Sequence, residues 1–343
     1  MYADPTALDK CYTITIYAPP MLLLRSAAMS LLKPLAALLL LAGLAAGPAR
    51  ADAPPDAPPD VVVTVKPLHA LVAGVMQGVG EPALLVPGSA SPHAFSLRPS
   101  DARALNGADL VVWAGPRLET FMERPLRALA GNATVLELMQ APGMELLDSR
   151  GGGVWQTDHG DHGDHSHGDG AGGKDGHIWL DPHNAQAITR AVAAALIRLD
   201  PARADIYRTN EAAQLARLAA LDREIGERLA PVKDRPFIVF HDAYQYLEHR
   251  YGLNPAGTLT VTPDQKPGAA RLSALRRQIT EAGAACVFAE PQFEPTLVRT
   301  LAEGTPARTG VLDPEGASLP PGPGLYEALM RFNADALAGC LGR

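Results

Sequence analysis

Short aliphatic runs alternate with stretches of helical apolar spacing along most of this chain. Residues 61–65 form a β-branched run fit for a strand covered on both faces, and 68–78 repeat apolar positions at helical spacing. Further strands are predicted at 82–86, 110–113 and 134–138, with a helix beginning DARAL capped by Ser100 and another over 118–130. Asp181 and Pro182 make a good helix start, with aspartate as cap and proline at the first helical position, and this helix should run to Leu199. Pro201 opens a second helix that meets no glycine or proline from Ala202 until Gly226 and sets Leu218, Leu221, Ile225 and Leu229 on one face. At about 1.5 Å per residue it would be about 40 Å long, more than one small lobe needs. Past Pro231 the rhythm repeats, with strands at 237–240, 258–261, 286–289 and 309–312 and helices at 243–250, 272–282, 295–303 and 324–340. The alternation predicts an α/β protein of two lobes, each a parallel sheet flanked by helices, joined by one long helix.

The ends of this pattern set the expected boundaries. Residues 29–51 contain Lys33, an apolar run over 35–46 and the small-x-small triplet Ala49-Arg50-Ala51, which reads as a secretory signal peptide whose apolar core is too short for a membrane span. Residues before Met21 or Met29 do not resemble the start of such a leader, so translation is expected to begin at one of those methionines. The expected division is a signal peptide over 1–51, a proline-rich tether over 52–60, an N-terminal lobe over 61–200, a linking helix over 201–230 and a C-terminal lobe over 231–343. Export would remove Cys11 and leave Cys286 and Cys340 in an oxidising compartment, either bridged, which is worth about 4 kcal/mol in chain entropy, or as two buried free thiols.

Composition adds little to fold class and more to chemistry. The chain has 343 residues, 47% hydrophobic and 20% charged, with a net charge of −7 and no basic patch, which argues against a nucleic-acid partner. Half of its ten histidines fall between Asp158 and Asp181. Within 158–174, His159, His162, His165 and His167 alternate with Asp158, Asp161, Asp164 and Asp169 among glycines, a composition with almost nothing to bury and much to attract a cation. His177 follows in an apolar setting, GHIWLDP. In open α/β sheets ligands bind beyond the carboxyl ends of the strands, and His93, His241 and Asp313 all fall at such ends. With His177 they predict a metal site in the interlobe cleft: three imidazoles and a carboxylate or water suit tetrahedral zinc. Glu290 also follows a strand, where it would either support a ligand or compete with Asp313. His69 is expected either in the core or as a support behind a ligand, His183 and His249 on exposed helix faces, and Asp181 and Asp242 as helix caps.

With these residues in view the chain resembles the zinc-binding periplasmic components of bacterial zinc ABC importers, the ZnuA family. The resemblance rests on VKPLHALVAGVMQGVG, LLVPGSASPHAFSLRPSDARALNGADLVVWAG, the histidine-rich loop, HIWLDP, FIVFHDAYQYLEHRYGL, CVFAEPQF and LDPEG, which span nearly all of the expected mature chain. It implies zinc ligands at His93, His177 and His241, a disulfide between Cys286 and Cys340, and a long rigid helix between the lobes. Some members have a glutamate just before the first histidine. Pro92 stands there in this chain, which turns the fourth position over to Asp313 or water. A histidine at 241, where manganese and iron binders of this kind place an acid, favours zinc. The function implied is high-affinity zinc capture in the periplasm by a monomer, with delivery to an inner-membrane ABC permease served by a separate ATPase subunit. GAGGKDG lacks the spacing and terminal hydroxyl residue of a phosphate-binding loop, so ATP hydrolysis belongs to a partner. Two rivals share the exported single-chain architecture: a zinc hydrolase, with Glu290 as its one candidate base, and an adhesin holding a structural metal.

Overall fold

The computed structural model describes residues 57–88, 90–150, 173–260, 268–293 and 296–343. The expected leader over 1–51, the first part of the tether, and the histidine-rich stretch with Asp158, His159, Asp161, His162, Asp164, His165, His167 and Asp169 lie outside the described residues.

The N-terminal lobe runs β1 (Val61–Val63), α1 (Lys66–Val75), β2 (Ala83–Leu84), α2 (Pro99–Gly107), β3 (Leu110–Trp113), α3 (Glu123–Leu129) and β4 (Thr134–Glu137). Two helices follow, α4 (Pro182–Leu199) and α5 (Ala204–Leu229). The C-terminal lobe is β5 (Phe237–His241), α6 (Gln245–Tyr251), β6 (Pro255–Thr260), α7 (Ala269–Glu281), β7 (Cys286–Ala289), α8 (Thr296–Ala302), β8 (Arg308–Val311) and α9 (Leu325–Leu341). Each lobe has a four-stranded sheet, ordered β2-β1-β3-β4 in one and β6-β5-β7-β8 in the other, with every pairing parallel. The chain therefore reverses its direction of travel across the sheet between β1 and β3, and again between β5 and β7. The carboxyl ends of those strand pairs flank the two switch-point crevices.

The inner strands β1, β3, β5 and β7 are buried at every residue, as continuous apolar runs covered on both faces should be. Strand periodicity divides the second sheet's side chains: Phe237 and Val239 join a core shared with β1, β3, α5 and α9, while Ile238 and Phe240 join a second core with Leu275, Ile279 and Val298. That shared core makes residues 57–343 one compact unit. Among the described residues no helix is long and apolar enough to cross a membrane.

Helix α5, 26 residues and about 39 Å long, buries Leu218, Leu221, Ile225 and Leu229, the expected face, and adds Tyr207 and Gln214. Asp181 caps α4 as expected, its carboxylate accepting the His183 amide at 2.8 Å. Other local expectations need correction. Helix α2 begins with Pro99 at its first position and is not capped by Ser100. There the Asp101 carboxylate accepts the Arg98 amide at 2.8 Å, and proline's fixed φ starts the helix two residues early. Asp242 does not cap α6, which starts at Gln245, because its carboxylate is paired with Arg150. Residues 118–130 open with a tight 3-10 turn at Thr120–Met122, and β2 shrinks to two residues at the sheet edge. Cys286 on β7 and Cys340 on α9 form a disulfide, so the free-thiol alternative does not hold.

Candidate metal centre

Three imidazoles converge from three separate places in the chain. His241 is the last residue of β5; His93 lies in the loop after β2; His177 precedes a 3-10 turn, Ile178–Leu180, that leads into α4. Each contributes one ring nitrogen, and these atoms lie within 4.8 Å of one another. Ring centroids stand 5.2 Å apart for His93 and His177, 5.3 Å for His177 and His241, and 5.9 Å for His93 and His241. The Nε2 atoms of His93 and His177 are 3.3 Å apart. A zinc ion bound at about 2.0–2.1 Å by tetrahedral nitrogens sets neighbouring nitrogens about 3.3–3.4 Å apart, so this pair already spans a tetrahedron's edge.

Two of the rings have their other nitrogen engaged by a carboxylate. Glu290 follows β7 and faces His241 across the β5/β7 crevice, both of its oxygens 2.7 Å from Nδ1. Asp175 accepts both the backbone amide of His177, at 3.0 Å, and its ring Nδ1, at 2.8 Å. A carboxylate on Nδ1 fixes the tautomer that leaves Nε2 with a free lone pair and makes that nitrogen a better donor to a metal. Among the described residues the buried Nε2 of His241 has no hydrogen-bond partner, which would be costly unless something else binds it. For His93, burial and the neighbouring His177 and His241 rings push the pKa well below the ordinary histidine range, so it stays neutral and able to donate. Burial is the largest single influence on His241 and opposes its charge, but Glu290 with the more distant Asp242 and Asp175 together outweigh it and the net displacement is upward.

The surroundings hold these groups in place. Gly176 lies against Leu118: a Cβ there would meet the Leu118 Cβ at 2.8 Å, so only glycine lets the chain pass before His177. The Trp179 indole donates to the Pro314 carbonyl at 2.8 Å, and the Tyr326 hydroxyl donates to the Trp179 carbonyl at 2.8 Å, fastening the His177 segment to the C-terminal lobe. On its other side the Tyr246 hydroxyl donates to the Asp175 carbonyl at 2.8 Å and accepts the Leu147 amide at 3.2 Å. Residues 147–149 and 173–175 pair antiparallel through Asp148 and Lys174, closing the base of the histidine-rich stretch two residues from His177.

Asp313 is not brought into the histidine group. It is buried, but its Oδ1 accepts the amides of Glu315 at 3.0 Å and Gly316 at 2.8 Å, and Asn333 brackets its backbone. It shapes the turn that reaches Lys66, whose ammonium donates to the carbonyls of Gly316 and Leu319. Glu290 stands behind His241 and is not a rival ligand. His69 is buried as expected, donating through Nε2 to the Pro82 carbonyl at 2.8 Å, and His183 and His249 are exposed. Sequence reasoning missed Asp175; the signal was an acid two residues before a histidine in a segment re-entering ordered structure, hidden by the many aspartates just upstream.

A family model described as "ZnuA: Zinc-uptake complex component A periplasmic" matches residues 61–340. The High-affinity zinc uptake system protein ZnuA of Brucella suis biovar 1 is 46% identical over 306 residues, covering 82% of this chain and 92% of the relative. The protein of the same name from Paracoccus denitrificans is 39% identical over 298 residues, covering 82% and 91%. A crystal structure of a ZnuA deletion mutant with zinc bound superposes with a TM-score of 0.69 at 27% identity, covering 83% of this chain and 98% of the other. Matched by that model over nearly all its described length, this chain belongs to the ZnuA family of periplasmic zinc-uptake components.

Proposed function

We propose that this protein captures zinc in the periplasm on the Nε2 atoms of His93, His177 and His241 and delivers it to an inner-membrane ABC permease driven by a separate ATPase subunit. The observation that carries this reading is the convergence of three buried or half-buried imidazoles, two of them backed by carboxylates, on one point between the lobes. Water takes the fourth position, because Asp313 lies outside the histidine group with its Oδ1 accepting two backbone amides, and both oxygens of Glu290 face His241. Residues 1–51 act as the export leader, the mature chain works as a monomer, and the histidines and aspartates of the 158–174 loop collect zinc for the site. The lobe division expected from the sequence, at 61–200, 201–230 and 231–343, serves the same end: each lobe brings ligands to the cleft from its own side.

The function is that of a carrier, as for the family, and not of an enzyme. The site's chemistry agrees: a hydrolase needs a base facing metal-bound water, and Glu290, the sequence's candidate, faces the wrong nitrogen of His241. X-ray absorption at the zinc edge, on full-length protein given one equivalent of zinc, tests the proposed shell. Three imidazole nitrogens and one oxygen are expected, unchanged in Asp313→Asn. A shell that loses an oxygen in that variant would return Asp313 to the ligand set.

A further inference from the structure

A second group of metal-binding side chains lies outside the three-histidine centre. Glu145, Asp181 and His183 each offer a ligand atom, and these atoms lie within 4.8 Å of one another. His249 on α6 lies beside one of them, its Nδ1 3.5 Å from the Glu145 carboxylate. The donors come from three elements: the segment after β4, the first turn of α4, and α6 of the C-terminal lobe.

The arrangement is held from beneath. The backbone of Glu145 is clamped by the buried Asn184, whose side chain accepts the Glu145 amide at 2.8 Å and donates to its carbonyl at 2.9 Å. Asp181 is 3% exposed and fixed by its capping bond to the His183 amide. Its pKa is raised, burial being the main cause and the Glu145 charge a further one, so this carboxylate gains from a cation beside it. Arg250 is the nearest fixed cation, but its guanidinium stands 3.7 Å from Asp181 and is engaged bidentately by Asp222 on α5.

We propose that Glu145, Asp181, His183 and His249 form a second, weaker site for a zinc-type divalent transition ion. Two imidazoles and two carboxylates are a donor set for zinc, nickel or copper, and too poor in oxygen for calcium, which takes six to eight oxygens. Exposure of His183 and His249 and the nearby Arg250 make it weaker than the buried centre. Its place gives it consequence. A single 3-10 turn separates His177 from Asp181, so an ion here binds the same segment that carries a ligand of the first site, and His249 ties that segment to α6.

The test is a zinc titration of the full chain against a competing chromophoric chelator, comparing the unmodified protein with the double variant Glu145→Gln/His183→Gln. The histidine-rich stretch is present in both and cancels in the difference. The variant is expected to bind one equivalent fewer, with its tightest equivalent unchanged. The single variant His249→Gln, which leaves the Asn184 clamp intact, is expected to weaken that same equivalent several-fold. Equal stoichiometry in the unmodified protein and the double variant overturns the second site. Loss of the tightest equivalent in the double variant overturns its independence from the first.

Discussion

Asp175 and Glu290 decide which nitrogen His177 and His241 present to an ion. Each holds an Nδ1 at hydrogen-bond distance and is itself buried, so its charge acts at full strength on the ring. Glu290→Gln keeps an acceptor in place but removes the charge, and Asp175→Asn does the same for His177. Each is expected to weaken zinc binding about 10- to 100-fold with the fold retained, measured by chelator competition alongside circular dichroism. Of the three histidines that converge, His93 and His241 stood out in the sequence by their place after a strand's carboxyl end, where α/β proteins bind ligands, and His177 by its apolar setting beside the histidine-rich stretch. Asp313 met the same positional criterion, yet it lies outside the group of three converging imidazoles. Strand ends also need caps, and the Asp313 carboxylate accepts two amides of the turn that follows. Which of these tasks a polar residue performs depends on the path of the next few residues, which spacing does not specify.

The two sheets have the same strand order, and they use their switch points differently. In the second sheet His241 and Glu290 face each other at the crevice, beside the candidate metal centre. In the first, the fully buried Glu119 carboxylate bridges the ends of β1 and β3, accepting from the Thr64 hydroxyl and from the amides of Ala114 at 3.2 Å and Gly115 at 2.9 Å. Burial pushes its pKa up to about 7, above the ordinary 4.5. The folded state thus holds this proton more tightly than the unfolded one. The stability it contributes is complete below about pH 4.5 and is lost as pH rises through about 7. Glu119→Gln is expected to flatten that part of the pH dependence, seen as a smaller fall in thermal midpoint between about pH 5 and 7.5 than in the unmodified protein. At this scale the sequence was most legible where apolar runs are continuous: β3, β7 and α4 match their expected spans. It was least legible at sheet edges and first turns. Edge strand β2 has little burial to mark its ends, and the start of α2 is set by Pro99 and Asp101 together, not by the nearest hydroxyl residue.

Across the whole molecule, the lobes are fastened by more than the long helix. One apolar core runs from the first sheet through α5 to the second sheet and α9. Lys66 reaches from the N-terminal lobe to the Gly316 and Leu319 carbonyls, Trp179 to Pro314, and Arg150 to Asp242 and Glu248. Opening the cleft widely would strand a buried ammonium and a buried indole without partners, each a loss of about 1–3 kcal/mol. Zinc uptake is therefore expected to involve local shifts near His93 and His177, with lobes that do not swing. Small-angle scattering of metal-free and zinc-loaded protein should give the same radius of gyration within error. The long helix was legible from its lack of breakers; the shared core was not, since no one-dimensional pattern says which face of a strand meets the other lobe. The proposed tight zinc site is the three-histidine centre and not the histidine-rich loop. It is tested most directly by titrating zinc into full-length protein and into His177→Ala, with a chelator strong enough to report the tightest equivalent. Loss of that equivalent in the variant, with the weaker loop equivalents retained, is the expected result; a tight equivalent that survives the substitution would place the tight site elsewhere.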